Sequence, residues 1–155
     1  MLNGIAVNRY TEQQLTIKHI IPEFGEKMLE IKGLTGGYVN IPVLKDVSFE
    51  VGDGQLVGLI GLNGAGKSTT INEIIGLLTP YQGEILIDGL SLQANRTAYR
   101  KKIGFIPETP SLYEELTLKE HIEMVAMAYD IEPQVALDRV EHLLHTFRLK
   151  DKLDW

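Results

Sequence analysis

The residues with the clearest chemical potential form one run, Gly61-Leu62-Asn63-Gly64-Ala65-Gly66-Lys67-Ser68-Thr69. Gly61, Gly66, Lys67 and Ser68 meet the spacing G-x-x-x-x-G-K-[ST]. Glycines allow successive backbone N–H groups to turn inward as a concave nest, and a helix opening behind them adds the partial positive charge of its amino end. Phosphate oxygens fit such a nest. Lys67 offers a point charge to β- and γ-phosphates, the Ser68 hydroxyl is a hard oxygen ligand for magnesium, and Thr69 can assist from the next position. Leu62, Gly64 and Ala65 complete the loop, and Asn63 keeps it polar. A plain glycine-rich connector is the bland alternative, and the lysine–serine ending argues against it.

The elements that must position this loop are legible on either side. Gln55 to Ile60 is a short run of apolar residues and glycine, the pattern of a strand buried on both faces, and it feeds straight into the loop. Behind it Ile71, Ile74, Ile75 and Leu78 predict a helical face ending before Pro80. Upstream, Leu29 to Leu34 alternates as a strand, Gly36-Gly37 reads as a turn, and Val43-Leu44 with Val47 to Val51 gives a second strand closed by Gly52-Asp53-Gly54. Downstream, Glu84 to Ile87 is a strand ending at Asp88-Gly89, Thr97 to Lys102 a short helix, and Ile103 to Ile106 the next buried strand before Pro107. Two helices follow. The first carries Leu118, Ile122, Val125, Ala126 and Tyr129 on one face with Thr117 as N-cap, and the second starts at Pro133 with the stripe Leu137, Val140, Leu144 and Phe147.

Residues 1–27 have no clear period and form a leader of uncertain structure, so Met28 is the expected natural start of the domain, which then runs over 28–155. An extra strand through Leu15-Thr16-Ile17 and Ile20-Ile21 is the alternative, with no turn signal to support it. The 155 residues are 44% apolar, enough for one core, and the formal charge of −6 offers no basic face for nucleic acid. There is no cysteine, hence no disulfide and no thiolate metal site. No apolar run reaches membrane-spanning length, and Asn3, Asn8 and Arg9 interrupt any signal core, so the chain reads as soluble and unexported.

From Leu29 onward these residues resemble the ATP-binding domain of ABC transporters. The glycine run with Thr70 is similar to that family's Walker A loop, Gly37-Tyr38 falls where the family has an adenine-stacking aromatic, and Ile103 to Glu108 resembles the strand entering its Q-loop. The stretch Ile106-Pro107-Glu108-Thr109-Pro110-Ser111-Leu112-Tyr113-Glu114-Glu115-Leu116-Thr117 resembles the Ecs-type ATP-binding subunits of bacterial exporters. The resemblance implies an α/β fold. It would be an incomplete P-loop NTPase core with a partly built parallel sheet, an antiparallel β subsheet and the start of a helical subdomain.

It also implies ATP and Mg2+ as ligands, with Tyr38 on the adenine. Lys67 and Glu108 would be catalytic, and Ser68 and Glu108 would lie on the metal. Glu108 departs from the family's glutamine. As an ABC-type ATPase of exporter type, the protein would couple ATP binding and hydrolysis to an integral membrane subunit. It would pair with a second ATP-binding subunit and lie in the cytoplasm against the inner face of the cell membrane. The family's Walker B aspartate, signature motif, catalytic glutamate and switch histidine come later than these residues, so this chain alone is expected to be inactive. A soluble ABC-type ATPase without membrane partner and a noncatalytic nucleotide-binding fragment are the competing readings.

Two further features are read as structural. Asp88 ends an apolar run as a Walker B aspartate does, but Gly89 follows at once, which makes a hairpin turn. His142 and His145 are three apart on a helix with no third ligand, the pattern of a solvated helix edge.

Overall fold

The computed structural model describes residues 16–19 as backbone, and residues 27–39 and 41–155 in full. It divides into two compact units, Met1–Phe105 and Ile106–Trp155. In the first, β2 (Lys27–Tyr38) pairs antiparallel with β3 (Ile41–Gly52) on one side and with β5 (Gln82–Ile87) on the other, and β5 pairs with the short β6 (Leu90–Ser91). The order is β3-β2-β5-β6. This is the expected antiparallel subsheet. The β5–β6 connection is the tight turn read from Asp88-Gly89: φ is 47° at Asp88 and 72° at Gly89, the left-handed pair that two-residue hairpins favour. Lys102 then donates to the Asp88 carboxylate at 2.7 Å.

Gly36 and Gly37 are not a turn. They lie inside β2, where the register against β3 is irregular, and the chain reverses only after Tyr38. A side chain at Gly36 would run into the Glu73 carboxyl, and one at Gly37 into the Ile41 carbonyl. The glycines therefore serve close approach rather than reversal.

The strand before the loop, β4 (Val57–Ile60), also departs from expectation. It pairs antiparallel with β1 (Thr16–His19), Thr16 opposite Ile60 and His19 opposite Val57, so part of the leader is a strand after all. Leu15, Ile20 and Ile21 lie outside the described residues. Val57 and Leu59 pack on the core of Ile31, Leu34, Leu44, Val47, Ile85, Ile87 and Tyr99, whereas Leu56 and Ile60 are exposed. Only one face is covered. Among the described residues no parallel ladder forms, and Ile103 to Ile106 forms no strand: Ile103 packs on the core, while Phe105 and Ile106 are exposed. A strand exists only where a neighbouring strand pairs with it, and among the described residues no strand pairs with this segment; the Ile103 N–H instead donates to the Arg100 carbonyl at 3.1 Å.

Helix α1 (Lys67–Ile74) stops a turn earlier than its apolar stripe predicts. Gly76, at φ 73°, donates to the Glu73 carbonyl at 3.1 Å and Leu77 donates to the Asn72 carbonyl at 2.8 Å, which together form a Schellman stop. Helix α2 (Arg96–Lys101), capped by Asn95, closes over this end. The fully buried Tyr99 donates its hydroxyl to the Ile74 carbonyl at 2.7 Å, and Arg100 donates to the Gly76 carbonyl at 2.9 Å. Burial pushes the Tyr99 phenol up to about 12, so it stays a donor.

In the second unit α3 (Leu118–Ala128) opens on a capping box. Thr117 accepts from the Glu120 N–H at 3.2 Å, and Glu120 accepts from the Thr117 N–H at 2.8 Å. Helix α4 (Pro133–Thr146) starts on its proline as expected and packs against α3, and Ala126, Ala136 and Leu144 are buried. Val125, Tyr129 and Phe147 of the expected stripes are exposed. A 3-10 turn at Lys150–Lys152 follows, and Lys119 donates to the Leu153 carbonyl at 2.9 Å, tying the start of α3 to the end of the chain.

Candidate functional site

The loop between β4 and α1 is shaped by two left-handed glycines, Gly64 at φ 82° and Gly66 at φ 94°. Gly66 is the N-cap of α1, yet no side chain caps that end. The first backbone N–H groups of the helix therefore face the loop with no side-chain acceptor, which is what an anion site requires. The first helical bond runs from the Thr70 N–H to the Gly66 carbonyl at 2.8 Å, doubled by the Thr70 hydroxyl at 2.9 Å. A Cβ at Gly66 would come within 2.5 Å of Leu44 Cδ2, so the core itself presses on the loop at its tightest point.

Lys67 donates to the carbonyls of Gly61 at 2.7 Å and Leu62 at 2.9 Å, and the Ala65 N–H donates to Leu62 at 3.1 Å. Ser68 is exposed and Thr69 is buried. A cation, the uncapped N–H groups of the helix and an exposed hydroxyl thus share the start of α1, chemistry that could hold a phosphate and a hard cation.

Tyr38 belongs to the same assembly. It ends β2, is 46% exposed, and its hydroxyl lies 3.5 Å from the Asn72 amide on α1. Glu108 belongs to the other compact unit and is exposed.

Two residues on α1 escaped the sequence reading. Asn72 meets Tyr38, and Glu73 is 1% exposed, with neither carboxyl oxygen in a hydrogen bond. Burial pushes Glu73 up to about 7, and the Gly37 N–H nearby draws it partly back. The signal was an acid among Ile71, Ile74 and Ile75, the apolar stripe at the end of α1. Asp88 sits in its turn, and His142 and His145 are exposed.

Strand, nest and helix in this order define a P-loop nucleotide-binding domain. The family profile described as ABC transporter matches residues 44–154. The chain belongs to the ABC transporter family, as its ATP-binding domain. The ABC-type transporter ATP-binding protein EcsA of Bacillus subtilis (strain 168) is 52% identical over 128 residues, 83% of this chain and 52% of that protein. The SkfA peptide export ATP-binding protein SkfE of the same organism is 36% identical over 126 residues, 81% of this chain and 52% of that protein. A solved ATP binding subunit of an ABC transporter superposes with TM-score 0.71 at 45% identity, over 82% of this chain and 53% of that one. The chain thus spans about half the length of these relatives. Among the described residues no helix is long and apolar enough to cross a membrane.

Proposed function

We propose that this chain is the nucleotide-holding portion of an exporter-type ABC ATP-binding subunit. Such a subunit uses ATP binding and hydrolysis to drive an integral membrane partner. The observation that carries the reading is the uncapped start of α1 behind Gly66, with Lys67 folded over the same loop. In this reading the loop N–H groups from Gly61 to Thr69 hold the phosphates and Lys67 turns from its own carbonyls to the β- and γ-phosphates. Tyr38 stacks on adenine. Ser68, exposed beside the nest, would hold magnesium, which when bound neutralises phosphate charge. Glu108, a carboxylate where the family has glutamine, is the further candidate ligand for that metal that the resemblance implies.

The remaining partners follow from the likeness to transporter subunits. They are a membrane subunit, a second ATP-binding subunit across the nucleotide, and a place on the cytoplasmic face of the membrane. Nucleic acid is not among them, since the net charge is −6. The test is a calorimetric titration of ATP, with and without magnesium, into a form extended to the full length of its relatives, alongside its Ser68→Ala variant. Magnesium should tighten ATP binding in the parent and do so far less in the variant; a parent indifferent to ATP would overturn the reading.

A further inference from the structure

The buried carboxyl of Glu73, between Asn72 and Ile74, is an expensive feature for a short helix. It is 1% exposed and neither oxygen makes a hydrogen bond. A buried polar group in that state needs a reason. The surroundings supply one. The carboxyl fills the space that a side chain at Gly36 would take, and the Gly37 N–H is close enough to influence its titration. Tyr38 is the next residue, and Asn72, immediately before Glu73, approaches the Tyr38 hydroxyl. Two successive residues of α1 thus address three successive residues of β2.

We propose that Glu73 is a positioning residue that holds the end of β2 against the phosphate-loop helix and so fixes Tyr38 relative to the nest. This rests on the reading of Tyr38 as the adenine platform. Gly36 lets α1 and β2 close up, and the carboxyl fills the gap left by its missing side chain, while Gly37 admits the β3 backbone at Ile41. The neutral acid fits that gap best, since an ionised carboxylate with no cation beside it is disfavoured there. Burial and the Gly37 N–H are the causes of its shift; no charged side chain of α1, β2 or β3 is among them. Loss of the proton loosens the end of β2. Because the nest lies at the other end of α1, the base should feel this and the phosphates should not.

The test compares ATP with inorganic triphosphate, both with magnesium, in a form extended to the full length of its relatives. Glu73→Ala should weaken ATP roughly fivefold or more, within the range of couplings between residues in contact, and change triphosphate binding less than about twofold. Glu73→Gln, an isostere of the neutral acid, should restore ATP binding. The Gln variant also serves if the Ala variant fails to fold. The ratio of ATP to triphosphate affinity should fall in the parent as pH rises through about 7 and stay flat in Glu73→Gln. Equal losses for both ligands in Glu73→Ala, or a parent ratio as flat as that of Glu73→Gln, would overturn the proposal while leaving a base-selective Tyr38→Ala intact. A Tyr38→Ala variant that loses both ligands alike would overturn the adenine platform and this proposal with it.

Discussion

Lys67 bonds the carbonyls of Gly61 and Leu62 at 2.7 and 2.9 Å, so the cation is held by the loop it would serve. A phosphate entering there exchanges two neutral acceptors for an anionic one, which adds ion pairing to a bond whose donor is already charged. Lys67→Ala should therefore weaken ATP binding by about 1.5–3 kcal/mol, roughly ten- to a hundredfold. Titration with magnesium-ATP checks it, and equal affinities would remove Lys67 from the site.

Gly66 carries a double constraint. Its φ of 94° strains any other residue, and a Cβ would meet Leu44 at 2.5 Å in the centre of the core. Gly66→Ala should lower stability by at least about 1 kcal/mol and weaken phosphate binding together, because strain and collision act at the same atom. Thermal melting with triphosphate titration decides; a variant that keeps both within error would mean that the loop has another conformation.

These two residues also mark what a sequence can disclose. The nest was legible because its requirement is local: left-handed backbone at Gly66 and a lysine one residue on. The N-cap at Thr117 and the first-turn proline at Pro133 are local in the same way. Gly36-Gly37 misled because the need for glycine arises from Glu73 and Ile41, distant in sequence or across the strand pair, and not from a reversal. Strands Gln55–Ile60 and Ile103–Ile106 were read from apolar runs alone. Hydrophobicity announces a demand for neighbours without naming them, and here β4 pairs with Thr16–His19 while Ile103–Ile106 pairs with no strand among the described residues.

Glu73 makes stability depend on pH. Its ordinary value is 4.5 and burial raises it to about 7 in the folded chain. Between those values the native state holds a proton that the unfolded state has lost, so stability is full below about 4.5 and falls as pH rises through about 7. The whole loss is on the order of 3 kcal/mol, since each unit is worth about 1.4. Glu73→Gln should melt at nearly the same temperature at pH 6 and 8, where the parent should melt lower at the higher pH. Parallel pH dependence in both proteins would show that another group is responsible.

The surface ahead of α3 carries the last prediction. Prolines at 107 and 110 exclude regular structure there, and Leu112 is 73% and Tyr113 60% exposed. The loop is nevertheless pinned. The Tyr113 N–H donates to His121 Nε2 at 3.0 Å, while the other ring nitrogen lies 2.9 Å from the Thr117 carbonyl, so one imidazole ties the loop to the first turn of α3. Both distances are met by the neutral ring protonated at Nδ1. Apolar side chains held outward on a fixed backbone lose little entropy on binding a partner, which suits a docking patch for the membrane subunit. Leu112→Ala combined with Tyr113→Ser, made in a form extended to the full length of its relatives, should abolish co-purification with that subunit and leave ATP affinity unchanged. Because neither side chain is buried in its own unit, the melting temperature should not move either. Retained co-purification, or a loss accompanied by lower ATP affinity and a lower melting temperature, would show that the pair serves the fold and that the partner docks elsewhere.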